Sequence, residues 1–292
     1  MRHSLDGRVI KAVGGLYTVA TEHGRYDCNV RGIFRKHGFT PLVGDYAVVE
    51  KIDEQKKTGT VTKFRERKTE LVRPRVANVD QAVIVLAAAD PPVNPDLTDR
   101  LLLLAEERGL EIVICVNKID LDDQYATALK PYESAGYGVF FVSAKTGGGI
   151  SGLRAALAGK VSVLAGPSGV GKSSIINSLT ENETMQTGEI SRKLGRGKHT
   201  TRHAELIEIS DGMFVVDTPG FSSLELKHIP RDILPGLFPE FRPYLDGCRF
   251  NDCRHINEPD CAVKAQTGAG ISAERYDRYV MIWNEIGDNE WT

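Results

Sequence analysis

A short segment that begins at Gly166 has the spacing of a loop that binds nucleotide phosphates. It matches the pattern G-x-x-x-x-G-K-[ST] at every defined position, and we expect it to contact the nucleotide together with the residue that follows. Its residues are Gly166, Pro167, Ser168, Gly169, Val170, Gly171, Lys172, Ser173 and Ser174. Glycines let the backbone curl until successive N–H groups face phosphate oxygens, and the following helix start adds positive potential. We expect Lys172 to act in catalysis at the β- and γ-phosphates, and Ser173 to hold Mg²⁺.

Two further segments predict that the base is guanine. Asn117-Lys118-Ile119-Asp120 and Ser143-Ala144-Lys145 each follow an apolar run, and ligands of parallel sheets bind at the carboxyl ends of the strands. An ionised Asp120 can accept hydrogen bonds from guanine N1–H and from its exocyclic amine, whereas adenine presents an acceptor at N1. We expect Lys118 to pack over the base and Asn117 to connect neighbouring loops. The segment that begins at Ser143 is expected to contact the base through its backbone.

The segment Asp217-Thr218-Pro219-Gly220 is expected to sense the γ-phosphate, because it also follows an apolar strand pattern. Asp217 suits Mg²⁺ binding through water, and the Gly220 N–H suits a contact to the γ-phosphate. The next residue is Phe221, where many GTPases have a glutamine that orients water. Because an apolar side chain cannot align water, intrinsic hydrolysis is expected to be slow.

The basic segment 192–202 occupies the position of the first switch loop of a GTPase. A threonine of that loop closes on Mg²⁺ and the γ-phosphate. Thr200 and Thr201 both fit this catalytic position, and the sequence does not decide between them. His199 is the candidate for orienting the attacking water, and a solvated or RNA-facing histidine is the alternative.

A group of cysteines and one histidine predicts a metal site. The residues Cys248, Cys253, His255 and Cys261 offer four ligands within fourteen residues. Three thiolates and an imidazole without a carboxylate are typical of one closed, tetrahedral, structural Zn²⁺ site, which stabilises a loop-rich region directly. Scattered reduced cysteines are the alternative. Cys28 lies in a strand-like apolar run, as does Cys115, and both are predicted to be buried free thiols.

The pattern of elements predicts three domains. Residues 8–66 contain five short strand patterns without a helix pattern, which favours a small closed barrel, an OB-fold, with an SH3-like barrel as the alternative. From residue 79 onward, apolar strand patterns alternate with helical ones, as in an α/β protein with a covered parallel sheet. We predict an OB-fold RNA-binding domain at 1–67, an α/β P-loop GTPase domain at 68–221 and a mainly helical zinc-binding domain at 222–292. Residues 68–78 are predicted to be a linker.

The order of the nucleotide segments is unusual. In most GTPases the phosphate loop comes first and the base-binding segments come last, but here Asn117 and Ser143 precede Gly166. This order is a circular permutation, which compact domains with adjacent termini tolerate. It connects the segment that ends at Gly220 directly to the C-terminal region, which the nucleotide state could therefore move.

Composition and charge exclude several classes of protein. The chain has 292 residues, a net charge of −2 and an ordinary share of hydrophobic residues at 41%. Residues 1–75 carry a charge of +7 and the remainder −9. This asymmetry suggests a module that binds a polyanion, and random clustering is the alternative. We see no signal peptide and no apolar run that could span a membrane, so a cytoplasmic protein is expected.

Together these motifs closely resemble the circularly permuted, ribosome small-subunit-dependent GTPases of the RsgA (YjeQ, YloQ, EngC) family, over nearly the full length of the chain. The matching segments are Val43-Gly44-Asp45, residues 117–120, 166–174, 198–201 and 217–221, and the four candidate metal ligands.

The resemblance implies a GTPase that the small ribosomal subunit stimulates during its late maturation. It implies that the barrel contacts ribosomal RNA, that the histidine matching His199 acts in hydrolysis, and that Zn²⁺ and Mg²⁺ are the cofactors. The expected partners are the small subunit with its rRNA and GTP or GDP, without a membrane, and we expect a monomer off the ribosome. Arg202 stands where members often carry a third threonine.

Two other functions remain open from the residues. The first is a nucleotide-gated RNA-binding adaptor whose hydrolysis is incidental, and the second is a GTPase that passes zinc onward. A closed set of four ligands at Cys248 to Cys261 argues against the second, because metal transfer requires an accessible site.

Overall fold

The structure is a computed structural model that describes residues 4–36, 38–72, 75–122, 125–184, 205–210, 212–217 and 225–287, without the side chains of residues 35, 181–184 and 217. Its strands are β1 (Ser4–Val13), β2 (Leu16–Thr21), β3 (Gly24–Val30), β4 (Tyr46–Asp53), β5 (Thr58–Phe64), β6 (Glu70–Leu71), β7 (Val76–Ala77), β8 (Gln81–Ala87), β9 (Glu111–Asn117), β10 (Gly138–Phe141), β11 (Val161–Ala165), β12 (Glu205–Ser210) and β13 (Met213–Asp217). Its α-helices are α1 (Ile33–Lys36), α2 (Pro95–Glu107), α3 (Ala126–Ser134), α4 (Ile150–Leu157), α5 (Lys172–Thr184), α6 (Ala262–Ala265) and α7 (Ala273–Gly287). Two 3₁₀ helices span Leu234–Leu237 and Pro239–Gly247.

The chain forms two compact units, each assembled from three segments. The first unit contains Met1–Gln81, Arg154–Leu164 and Ile176–Ser222, and the second contains Ala82–Leu153, Ala165–Ile175 and Ser223–Thr292. The predicted domain boundaries at residues 67 and 221 divide the chain differently and remain a prediction.

Strands β1 to β5 of the first unit close into a barrel. Their order is β1-β2-β3-β5-β4, and β4 pairs again with β1. The β3–β5 pair is parallel, whereas the neighbouring pairs are antiparallel. Alternate side chains point inward, so that Val9, Val19, Val49 and Val61 are completely buried. The predicted five-stranded barrel is confirmed.

The motif Val43-Gly44-Asp45 has a structural role beside the barrel. Gly44 has a φ of +94°, and a Cβ there would lie 1.9 Å from the Ala77 carbonyl oxygen. Asp45 is fully buried and accepts two hydrogen bonds from Arg67, at 2.7 and 2.8 Å. The Leu42 N–H also donates to this carboxylate at 2.7 Å. A buried carboxylate needs such partners, because burial without them is costly.

The segment predicted to be a linker is folded instead. Strands β6 and β7 form a two-stranded antiparallel sheet within it. The buried Asn78 side chain accepts a hydrogen bond from the Lys68 N–H at 2.9 Å and donates one to the Gly44 carbonyl at 3.1 Å. Strands of two residues are too short to show an alternating pattern, so no periodicity in the sequence marks them.

A β-hairpin completes the sheet of the first unit. Strands β12 and β13 are antiparallel, and β13 also pairs in parallel with β11. Strand β12 pairs with the barrel strand β1 at Lys11 and Glu205. The sheet of the barrel therefore continues into the hairpin.

The second unit contains strands in the order β10-β9-β8 together with helices α2 and α3. Strand β8 is buried at every position, as expected for a covered parallel sheet. Helix α2 begins at Pro95 because Asn94 caps it: the Asn94 side chain accepts from the Leu97 N–H at 3.1 Å. The helical C-terminal region belongs to the same unit.

A buried arginine holds the C-terminal region against α2. Arg275 of α7 donates to Asp99 at 2.5 Å and to Glu240 at 2.5 Å. Its guanidinium carbon lies 5.3 Å from the centre of the Tyr132 ring and 5.1 Å from that of Phe238. Removing one partner of a buried ion pair costs roughly 3–5 kcal/mol, so this cluster fixes the packing of α7 on α2.

Two thiols outside the metal cluster are buried and free, as predicted. Burial raises the pKa of Cys28 to about 12 and that of Cys115 to about 12, so neither is a reactive thiolate at neutral pH. Within the described residues, no helix has both the length and the apolar composition needed to cross a bilayer.

Candidate nucleotide site and metal centre

Asn117 joins three loops of the second unit at the carboxyl end of β9. Its side chain, 2% exposed, donates to the Val170 carbonyl of the phosphate loop at 2.9 Å. The same side chain accepts from the Ala144 N–H at 3.0 Å. A Cβ at Gly171 would lie 2.3 Å from the Asn117 amide nitrogen. Asn117 therefore connects the phosphate loop with the two segments that are predicted to bind the base.

Asp120 lies three residues after Asn117 and presents an exposed carboxylate. The Ser143 hydroxyl donates to it at 2.7 Å. This hydrogen bond holds the pKa of Asp120 below its ordinary value, so the carboxylate is ionised at neutral pH. An ionised, oriented acceptor is what recognition of guanine N1–H and its amine requires.

Lys118 is held by a residue that sequence reasoning missed. Its ammonium donates to the main-chain oxygen of Asp90, in the loop that follows β8. Lys118 has a φ of +64° and Asp90 one of +49°, and both belong to the small left-handed region. The available signal was the position of Asp90 after a fully apolar strand, where ligand-binding loops of parallel sheets occur.

The phosphate loop has the backbone shape that its glycines predict. Gly169 has a φ of +86° and Gly171 one of +94°. A Cβ at Gly166 would lie 2.2 Å from the Val85 carbonyl oxygen. Helix α5 begins at Lys172, so its N-terminus faces the loop. Lys172 itself folds back, and its ammonium donates to the carbonyls of Gly166 and Pro167, each at 2.8 Å.

The half-buried position of Lys172 is significant for phosphate binding. Burial leaves its ammonium only partly solvated and lowers the pKa of this group. The electrostatic attraction between Lys172 and an anion beside it would therefore be stronger than at an exposed lysine. Ser173 and Ser174 follow as exposed residues of the first turn of α5.

Several predicted site residues lie outside the described residues. These are His199, Thr200, Thr201, Gly220 and Phe221. Of Asp217, the backbone is described as the last residue of β13, and its side chain is not. The roles given to these residues therefore stay predictions.

The predicted metal ligands lie together in the C-terminal region of the second unit. The ligand atoms of Cys248, Cys253, His255 and Cys261 all lie within 4.8 Å of one another. The Cys248 and Cys261 sulfurs are 3.8 Å apart, and His255 Nδ1 is 3.3 Å from the Cys261 sulfur and 3.5 Å from that of Cys248. A tetrahedral ion with Zn–S bonds of about 2.3 Å places two sulfur ligands about 3.8 Å apart. The arrangement therefore fits a four-coordinate metal ion.

The surroundings of the cluster favour metal ligation. Burial lowers the pKa of His255, which keeps its ring neutral, as a metal ligand must be. The His255 carbonyl accepts a hydrogen bond from the Tyr276 hydroxyl at 2.7 Å, which fixes the loop against α7. Cys261 also caps α6, because its sulfur accepts from the Lys264 N–H at 3.4 Å. Helices and loop are thus built around the four ligand atoms.

Comparison with known proteins gives a consistent result. The family model described as RsgA GTPase matches residues 64–227, and the one described as RsgA N-terminal domain matches residues 6–61. A small ribosomal subunit biogenesis GTPase RsgA of Ruminiclostridium cellulolyticum is 47% identical over 288 residues, which is 97% of this chain and 94% of the relative. The one of Geobacillus kaustophilus is 46% identical over 291 residues, 98% of each chain.

Solved structures agree with the fold and with the predicted permutation. YloQ, described as a circularly permuted GTPase, superimposes with a TM-score of 0.83 at 37% identity, over 98% of this chain and 96% of its own. YjeQ from Thermotoga maritima superimposes with a TM-score of 0.82 at 36% identity, over 97% and 99%. The resemblance predicted from the motifs is confirmed, and the chain belongs to the RsgA GTPase family.

Proposed function

We propose that this protein hydrolyses GTP to GDP and phosphate, and that it acts in the late maturation of the small ribosomal subunit, which stimulates the reaction. The observation that carries the nucleotide part is the position of Asn117, which hydrogen-bonds both to the phosphate loop and to the segment beside Asp120. Support for the ribosomal part comes from relatives named small ribosomal subunit biogenesis GTPases, at 44–47% identity.

Each site residue has a proposed role. Asp120 accepts hydrogen bonds from guanine, with Ser143 orienting its carboxylate. Lys118 and the backbone of the segment 143–145 cover the base. The backbone of the phosphate loop and Lys172 bind the phosphates and stabilise the charge that develops during transfer.

The magnesium and γ-phosphate contacts are proposed on the sequence motifs. Ser173 and Asp217 would hold Mg²⁺, which neutralises phosphate charge when bound. Gly220 would contact the γ-phosphate. Thr200 or Thr201 would complete the magnesium site, and His199 would orient the attacking water.

We propose that the Cys/His cluster binds one structural Zn²⁺ per chain. The set of three thiolates and one imidazole excludes Mg²⁺ and Ca²⁺, which prefer oxygen ligands. Because all four positions of a tetrahedron are filled by side chains, the ion would have a structural role and no site for substrate.

The proposed domains have distinct tasks. The OB-fold at 1–67 would bind ribosomal RNA, because residues 1–75 carry a charge of +7. Residues 68–221 would form the GTPase domain and residues 222–292 the zinc-binding domain. We expect a cytoplasmic protein that is monomeric off the ribosome.

Purified small ribosomal subunits are expected to raise GTP turnover at low salt. Phosphate contacts by a basic domain make binding fall steeply with salt, by roughly 10³- to 10⁵-fold between 50 and 200 mM for six to ten contacts. The concentration of subunits at half-maximal stimulation should therefore rise steeply over a salt series. Turnover is measured by phosphate release with a fixed amount of protein.

Large ribosomal subunits at equal concentration are the control, because they offer the same phosphate backbone without the proposed site. Equal stimulation by both subunits would show that any RNA polyanion is sufficient. A turnover unchanged by small subunits at the lowest salt would contradict the ribosomal part of the proposal.

A further inference from the structure

The barrel and the β12–β13 hairpin of the first unit share a set of polar contacts. Lys11 of β1 is the backbone partner of Glu205 of β12, and its ammonium lies 3.0 and 3.2 Å from the two carboxylate oxygens of Glu205. Arg25 of β3 donates to Glu208 of β12 at 3.0 Å. Two barrel strands are thus paired by charge with one strand of the hairpin.

Arg8 extends this contact to the other hairpin strand. Its guanidinium carbon lies 4.3 Å from the centre of the Tyr46 ring in the barrel and 5.5 Å from that of Phe214 in β13. It also donates to the main-chain oxygen of Asn78 at 3.4 Å. The interaction of a planar guanidinium with two rings depends on its orientation, whereas that of a lysine ammonium does not. We call the pairs Lys11–Glu205, Arg25–Glu208 and Arg8–Phe214 the barrel–hairpin contact.

The hairpin leads directly to residues of the proposed nucleotide site. Asp217 is three residues beyond Phe214 on β13. Phe214 is also the register partner of Val161 on β11, and the phosphate loop follows β11 in the sequence. A shift of Phe214 along or across the sheet would therefore move the backbone of Asp217, the last residue of β13.

The barrel–hairpin contact borders an open cleft. The cleft has a volume of about 700 Å³ and is lined by Arg8, Tyr46, Arg65, Glu208 and Phe214, among others. A close-packed core resists small displacements, whereas polar pairs beside open space can exchange partners with water. The polar pairs beside the cleft are therefore the place where the position of the hairpin against the barrel can change.

We propose that Arg8, Lys11 and Glu205 are positioning residues for GTP hydrolysis: they transmit the binding of the small subunit from the barrel to the hairpin, and so to Asp217 at the end of β13. This inference rests on the proposed function. It explains how a partner bound to the barrel accelerates a reaction elsewhere in the chain without supplying a catalytic group itself. Coupling between two sites typically changes a rate or affinity by about 5- to 150-fold.

A charge-swap experiment tests this inference. Lys11→Glu and Glu205→Lys each replace an attraction by a repulsion, and the double variant restores an attraction with the charges exchanged. Maximal turnover at saturating small subunits is expected to fall about fivefold in each single variant and to recover to within about twofold of the unaltered protein in the double variant. GTP affinity and intrinsic turnover, measured without subunits, show that each variant is folded.

Lys36→Glu is the matched control, because Lys36 is an exposed lysine of the barrel region on α1. It should raise the subunit concentration at half-maximal stimulation and leave the maximum unchanged. Arg8→Lys keeps the charge and loses the planar stacking, so it should lower the maximum.

The outcomes separate this inference from the proposed function. If the unaltered protein is stimulated and the double variant is no better than the weaker single variant, the inference is wrong and the proposed function stands. If Arg8→Lys keeps the full maximum, Arg8 has no positioning role. If the unaltered protein is not stimulated by small subunits, the proposed function fails and the inference fails with it.

Discussion

Asp120→Asn is expected to lower the affinity for GTP by about 100-fold or more, because the variant loses charged acceptors for guanine N1–H and the exocyclic amine. The amide can instead accept from N1–H of xanthine and donate to its second carbonyl. The variant should therefore bind xanthosine triphosphate more tightly than GTP. Equilibrium titration of the unaltered protein and the variant with both nucleotides measures the exchange of preference.

The matched control for this variant is Glu133→Gln. It removes one negative charge from an exposed position of α3 in the same unit, and it should leave the preference for GTP unchanged. The Ser143 hydroxyl can still donate to the amide oxygen of the variant, so the loop should keep its shape. Equal affinities of Asp120→Asn and the unaltered protein for GTP would show that Asp120 does not contact the base.

Removing the metal from the Cys/His cluster is expected to destabilise the C-terminal region strongly. The loop 248–261 has few regular elements of its own, and metal binding in small sites supplies about 10–16 kcal/mol of apparent folding free energy. Here the Phe241 and Tyr279 rings give the region an independent core. We therefore expect a loss of folding free energy below this range. It should appear as a fall of about 10 °C in the unfolding midpoint measured by calorimetry.

Cys261→Ser should have the same effect as a strong chelator, since it removes one ligand while a serine side chain can still cap α6. Asp252→Asn is the control, because Asp252 is exposed in the same loop and is not among the ligands. Elemental analysis should find one zinc per chain in the unaltered protein and in the control. A chelated protein with an unchanged midpoint would contradict a structural role for the ion.

The chemistry-bearing segments were predictable because their requirements are local. A phosphate loop needs glycines at fixed spacing for its backbone shape, and Gly169 and Gly171 have the positive φ angles that this requires. Metal ligands need matched donor atoms within a short loop, and the structure brings the four predicted ligands together. The barrel followed from strands of alternating polarity, whose inward residues are buried.

The contacts that position these segments could not be predicted, because they join residues distant in sequence. Arg275 pairs with Asp99, which is 176 residues away, and no local period marks either residue. Lys11 and Glu205 are 194 residues apart. The partner of Lys118 is a main-chain oxygen at Asp90, for which no side-chain type provides a signal.

Competition between nucleotides for the unaltered protein tests the central claim that one site binds guanosine triphosphate between Asp120 and Lys172. A fluorescently labelled GDP is bound first, and unlabelled GTP, GDP or ATP is then added. A site built around hydrogen bonds to one base rejects an analogue that lacks them by roughly 10⁴- to 10⁵-fold. GTP and GDP should therefore displace the labelled GDP at concentrations close to its own. ATP should not displace it at about hundredfold excess. Displacement by ATP at the same concentration as GTP would contradict the account.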